Sequence, residues 1–154
     1  MKTPGPDHTI DVSFKPIRAR ALFNGHEIAD SRNMLIVREA GYQPVYYFPR
    51  GDVTMAFLGR THRSTHCPYK GDASYFTIAR DGEVAENAAW SYEAPYPAME
   101  LIRSRVAFYP HYVRLEIDAL VEGELIRDVV EHTDSGSGRS QLRPWATTVE
   151  GPPH

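Results

Sequence analysis

The chain has 154 residues and a single cysteine. One thiol closes no internal disulfide, so the core alone has to hold the fold, and such usage suits a reducing, cytoplasmic setting. No apolar run approaches the ~20 residues of a membrane span. Met1-Lys2-Thr3-Pro4-Gly5-Pro6 lacks the apolar stretch of a secretory leader. The expectation is a cytoplasmic protein with no membrane partner. Cationic surplus is missing too: 17 Lys and Arg stand against 20 Asp and Glu, a net charge of −3. Nucleic-acid binding draws on surplus cations that displace counterions, so a general nucleic-acid affinity is not expected. There is no Cys-x-x-Cys, no Asp-x-Asp, no glycine-rich phosphate loop and no Gly-x-Ser-x-Gly elbow. Those absences argue against a closed zinc site, a carboxylate-held metal pair and a serine hydrolase.

What is present reads as a small β protein. The 12 prolines, the many aromatics and the lack of a long helical pattern point to short strands and frequent turns. Residues 1–15 read as an irregular leader, residues 16–118 as the β domain and residues 119–154 as an extension. Ile17, Ala19, Ala21 and Phe23 alternate with Arg18, Arg20 and Leu22, and Asn24-Gly25 supplies a hairpin turn. Return strands over His26–Asp30, Asn33–Arg38 and Val45–Phe48 complete an expected four-strand meander. Asp52 is placed to cap a short helix over Val53–Leu58. Asp81-Gly82 marks a second hairpin between 73–80 and 83–92, and Ala98–Arg103 has room for one or two helical turns. Leu120, Leu125, Ile126, Val129 and Val130 suggest one amphipathic face, making the extension partly helical before a flexible Ser/Gly spacer at 134–138. The predicted fold is a small antiparallel β-barrel or two-sheet sandwich with one or two short helices. Its edges, or the segment 119–130, could serve a homodimer.

Five motifs occur in order: Asn24-Gly25-His26-Glu27-Ile28-Ala29-Asp30-Ser31, Tyr46-Tyr47-Phe48-Pro49-Arg50-Gly51-Asp52-Val53, Thr65-His66-Cys67-Pro68-Tyr69-Lys70-Gly71-Asp72-Ala73, Ala89-Trp90-Ser91-Tyr92-Glu93-Ala94-Pro95 and Val106-Ala107-Phe108-Tyr109. Together they resemble the family called domain of unknown function 427, over roughly residues 7 to 115. The resemblance implies a small, mostly β and largely bacterial domain. The family carries a nucleotidyltransferase-type label, and the residues here offer little for that chemistry beyond Asp52 and Asp72 flanking the central motif.

The candidate site centres on Cys67-Pro68-Tyr69-Lys70-Gly71, a turn in which Pro68 fixes φ and Gly71 allows reversal. Cys67 needs a depressed pKa to act as a nucleophile, which His62, Arg63, His66 or Lys70 could supply. Adjacent strand residues face opposite ways, however, so His66 and Cys67 should diverge. His62, His66 and Cys67, with Glu39 or Asp72, hold too few sulfur ligands for a regular metal site, and no metal is expected. Arg50 either clamps an anion or pairs locally with Asp52. Tyr47, Tyr69, Trp90 and Tyr92 either line a pocket or fill the core. Two function classes follow. The favoured one is a small-molecule module whose pocket binds an anion through Arg50 and Lys70 against Tyr47, Tyr69, Trp90 and Tyr92. The alternative is an enzyme of transferase or hydrolase type using Cys67 or Lys70 with His66.

Overall fold

A computed structural model describes residues 1–121 and 124–130, with side-chain surroundings described through residue 118. Eleven strands form three antiparallel sheets. The strands are β1 (Ile10–Lys15), β2 (Ile17–Phe23), β3 (His26–Ser31), β4 (Met34–Glu39), β5 (Val45–Tyr47), β6 (Leu58–Cys67), β7 (Gly71–Arg80), β8 (Glu83–Tyr92), β9 (Ala107–Phe108), β10 (Arg114–Val121) and β11 (Glu124–Val130). Among the described residues only short 3-10 turns accompany them, at Arg50–Asp52, Met55–Phe57 and Pro97–Ile102. None of the described helices is long and apolar enough to cross a membrane.

The long sheet β6-β7-β8-β9 is covered on both faces. Tyr75 and Phe76 are neighbours on β7 and therefore point to opposite sides. Phe76, Ile78 and Ala89 join Ala19, Ala21, Ile28 and Ile117 of the sheet β11-β10-β2-β3 in one apolar cluster. Ala73, Tyr75, Trp90 and Tyr92 join Leu35, Val37, Val45 and Tyr47 of the sheet β1-β4-β5 in the other, with Met99 and Ile102 closing it. The sheets stack like a sandwich, and the barrel alternative is not realised.

The two local hairpins form as their sequences dictate. Asn24 and Gly25 sit at φ +50° and +84°, Asp81 and Gly82 at +51° and +82°. Both pairs adopt the left-handed geometry that a two-residue turn requires. The four-strand meander does not form. The apolar run Met34-Leu35-Ile36-Val37 is buried on both faces, which a strand open to water on one side cannot be. Accordingly β4 leaves β3 and pairs instead with β1 and β5, with Ile10 opposite Glu39.

Three further expectations are corrected. Residues 10–15, expected as irregular leader, form β1, because Ile10 and Val12 alternate onto the core around Tyr47 and Trp90. The helix expected over Val53–Leu58 reduces to the turn Met55–Phe57, and the Asp52 carboxylate accepts the Ser31 hydroxyl at 2.6 Å rather than capping a helix. The helical face expected across 120–130 is strand: β10 runs to Val121 and pairs with β11 through Leu120–Leu125 and Ala119–Ile126. The spacer at 134–138 lies outside the described residues.

Gly71 begins β7 at φ +108°, and a Cβ there would meet the Ala94 carbonyl oxygen at 3.4 Å and Pro95 Cα at 3.5 Å. A left-handed conformation costs an L-residue strain that glycine avoids, of order 1–3 kcal/mol. Gly71→Ala should therefore lower the unfolding free energy in urea by about that amount. Gly59→Ala, on β6 with open space around its Cβ position, is the control and should change it by less than about 0.5 kcal/mol.

Candidate functional site

Thr65, His66 and Cys67 end β6, and Pro68-Tyr69-Lys70 makes the hairpin to β7, since Cys67 pairs with Gly71. Strand alternation sorts these side chains. Thr65 and Cys67 are buried and His66 is outside. His66 Nδ1 lies 2.7 Å from the exposed Asp72 carboxylate. Histidine and thiol therefore diverge, as the alternation predicted.

Lys70 turns inward, and its side chain is 0 % exposed. Its ammonium donates to Glu39 Oε1 at 2.5 Å. The Glu39 side chain is 1 % exposed, and its second oxygen lies 2.5 Å from His8 Nε2. His8 is the part of this network that meets solvent, at 25 % side-chain exposure. Its ring stacks on Tyr69 with centroids 4.2 Å apart and planes 12° from parallel. Two backbone bonds hold the same segment down: Lys2 N–H donates to the Pro68 carbonyl at 2.6 Å, and Ala40 N–H to that of Thr9 at 3.0 Å. Residues 2–9 thus lie as a strap across the turn, and His8, Glu39 and Lys70 run inward from it.

The interior the lysine enters is aromatic. Tyr47, Trp90 and Tyr92 are each 0 % exposed. The Trp90 indole N–H donates to the Tyr47 hydroxyl at 3.3 Å, and its ring lies 4.6 Å from that of Tyr109. The Thr65 and Tyr75 hydroxyls share a bond of 2.9 Å. Burial pushes the phenols of Tyr47, Tyr75, Tyr92 and Tyr109 upward, so each stays neutral. Burial also pushes the Cys67 thiol up. The Lys70 charge and the backbone N–H groups of Tyr69 and Lys70 oppose the shift without reversing it. Cys67 rests as a thiol at neutral pH, which takes away the nucleophilic form.

Arg50 lies elsewhere. Its guanidinium sits 5.5 Å from the centre of the Phe76 ring, on the other face of the central sheet from Tyr75. It donates to the Ser104 carbonyl at 2.8 Å and the Ser91 hydroxyl at 2.9 Å, and it meets Glu93 at 3.0 Å. Arg60 and Ser74 reach the other Glu93 oxygen at 2.5 and 3.0 Å. Burial pushes the Glu93 carboxyl up, but the bonds from Ser74 and Arg60 and the charges of Arg50 and Arg60 outweigh it and hold it below the ordinary range.

Among the sequence-derived candidates, Tyr47, Cys67, Lys70, Trp90 and Tyr92 converge in one core, Tyr69 covers it, and His66 and Arg50 stand apart. Over residues 11–121 the chain matches a family model described as a domain of unknown function, DUF427. The chain belongs to this family. None of the curated proteins matches it. Four of the five DUF427 motifs picked out above place a side chain in this interior, through Tyr47, Lys70, Trp90 and Tyr109. Two members of the site escaped the sequence reading. Glu39 entered there only as a potential metal ligand, although the spacing Leu35, Val37, Glu39 already set it on the core face of β4. No local signal marked His8. Among the described residues, no group of three or more His, Cys, Asp or Glu side chains is placed to hold a metal ion.

Removing the Glu39 charge leaves the buried ammonium without its carboxylate, a change that costs about 3–5 kcal/mol in comparable buried pairs. Glu39→Gln should lose that much in urea unfolding, and Glu39→Gln combined with Lys70→Met should recover part of it. Full loss in the double variant would mean that the pair itself is not the source. Cys67 should be inert to a thiol reagent in native buffer up to about pH 8.5 and react once the protein is unfolded. For Glu93 the folded pKa is depressed, so its contribution is present above the ordinary carboxylate range and lost as pH falls through the folded value. Unfolding midpoints measured between about pH 6 and 3 should therefore drop less steeply in Glu93→Gln than in the parent.

Proposed function

We propose that this DUF427 protein is a small-molecule binding module in which Lys70 receives the anionic group of a compact organic ligand. The observation that carries the reading is the sealed ion pair. A lysine at 0 % exposure meets a carboxylate at 1 % exposure, beneath a strap anchored by His8 and Lys2. An ion pair buried this way is often no more stabilising than apolar side chains of the same volume, so its presence points to a use beyond stability. In the closed state the Glu39 carboxylate occupies the place that a ligand carboxylate or phosphate would take. Displacing the strap opens a path from solvent to the pair, where an incoming anion competes with Glu39 for the ammonium, while the neutral tyrosine hydroxyls and the Trp90 ring offer polar tips and flat surface to the rest of the ligand.

Thermal-shift measurements with small carboxylates, inorganic phosphate and nucleotides test it. At least one anion should raise the melting temperature of the parent and raise that of His8→Ala further, because a loosened strap lowers the cost of entry. Stabilisation that persists in Lys70→Met, or no anion acting on either protein, sinks the reading.

One observation favours an enzyme as the second reading: His8, Glu39 and Lys70 form a continuous hydrogen-bonded route from solvent to a buried amine. In that case the amine must exchange protons and react. Lys2 and Lys15 are exposed and serve as internal references. Acetylation with a small amine-reactive reagent, followed by mass spectrometry, should leave Lys70 strongly protected in a closed binding module. An enzyme of this kind would show Lys70 modified as fast as the references.

A further inference from the structure

We propose a second ligand site, independent of Lys70, at the cleft where β6 and β8 both depart from regular pairing. The ligand it fits is a small aromatic acid, a single ring system carrying one carboxylate.

Two irregularities meet there. Arg60 pairs with Phe76 and Ser64 with Ser74, so on β6 the three residues Thr61, His62 and Arg63 oppose Tyr75 alone. On β8, Ala89 pairs with Phe76 and Ala85 with Ile78, so Glu86, Asn87 and Ala88 oppose Thr77 alone. Asn87 takes a left-handed φ of +52°. The bulges are tied together: the Thr61 hydroxyl donates to Asn87 Oδ1 at 2.6 Å, and Asn87 N–H donates to the Thr77 hydroxyl at 3.2 Å. Bulges redirect side chains and recur beside binding sites. Here they aim Arg63 and Asn87 into a cleft of about 230 Å³ completed by Glu86, Tyr109, His111 and Tyr112.

The lining sets the ligand class. Tyr109 is buried and rests on Trp90, giving a fixed flat floor. Tyr112 is 47 % exposed, a large aromatic left at the mouth. Together with His111 it offers a ring surface to stack on. The Arg63 guanidinium is stationed 4.6 Å from the Tyr75 ring centre, which pre-sets its position for a carboxylate. With Oδ1 engaged by Thr61, the Asn87 amide presents its NH₂ group as a second donor. Glu86 is the opposing element: exposed on the same lining, it penalises a second negative charge, which limits the ligand to one acidic group.

Titration of the full chain with benzoate and indole-3-acetate, followed by amide chemical shifts of Asn87 and His111, tests the site. Benzylamine is the charge-reversed probe. Saturable shifts with a dissociation constant of about 1 mM or tighter are expected for the acids. Arg63→Gln and Tyr112→Ala change exposed side chains, and each should weaken binding by about fivefold or more. Glu86→Gln should tighten it. The site is overturned if neither acid saturates by about 10 mM, if benzylamine binds as well as the acids, or if both weakening variants bind like the parent. Arg63 and Tyr112 line this cleft and play no part in the lysine site, so the effect of their variants on these titrations makes failure here separable from failure of the lysine site.

Discussion

The structure turns on one buried contact, the Lys70 ammonium against the Glu39 carboxylate. Taking two charges out of water costs several kcal/mol each, and only close geometry with further hydrogen bonds returns it. That demand reaches far along the chain. Glu39 must end β4 on the core face, Gly71 must reverse sharply enough to send Lys70 inward, and the strap must bring His8 to the second Glu39 oxygen. A one-residue slip of β4 would turn Glu39 and both of its apolar neighbours, Leu35 and Val37, to the wrong side. The ion pair therefore fixes register across three segments that share no sequence proximity.

The aromatic residues around it solve a related problem. A purely aliphatic interior would give an ion pair no hydroxyl or indole dipole to lie beside. Tyrosines supply both apolar bulk and neutral polar tips, and their raised pKa values keep further negative charge away from Glu39. Their hydroxyls are partly tied among themselves, as between Trp90 and Tyr47 or Thr65 and Tyr75. The same Tyr109 that rests on Trp90 also forms the floor of the bulge-lined cleft. The inner site and the outer cleft thus share one wall, and Tyr75, which bonds Thr65 inside and carries the Arg63 guanidinium on its ring, joins them further.

Local chemistry was legible in the sequence and long-range partnership was not. Asn24-Gly25 and Asp81-Gly82 carry their turn geometry in two residues, and Ala19, Ala21 and Phe23 announce their buried face by alternation. The divergence of His66 and Cys67 followed from the same period of two. Strand partners depend on distant segments: nothing near Met34–Glu39 says that it pairs with Ile10–Lys15 rather than with β3. The prolines at 4, 6 and 16 drew attention away from Ile10, Val12 and Phe14, whose own alternation makes a strand. Tyr47, Trp90 and Tyr92 were recognisable as a group, yet whether aromatics fill or line a space is decided by what packs on them. Here that is Leu35, Val37, Met99 and Ile102 from other elements.

The disposition of the other carboxylates bears on the transferase label attached to the family. Nucleotidyl transfer with metal assistance needs carboxylates held together and left open to a cation. Among the described residues, Asp30, Asp52, Glu93 and Glu39 are each already committed. Asp30 is clamped by the Arg18 guanidinium at 2.9 and 2.7 Å, which holds its carboxyl below the usual range. Asp52 takes the Ser31 hydroxyl, Glu93 is gripped by two arginines and a serine, and Glu39 serves Lys70 and His8. A cation entering at Asp30, Glu93 or Glu39 would first have to displace a guanidinium or an ammonium. An anion approaching Lys70 would likewise meet a committed partner, Glu39 behind the strap, whereas the Arg63 guanidinium stands over the Tyr75 ring at the lining of the cleft.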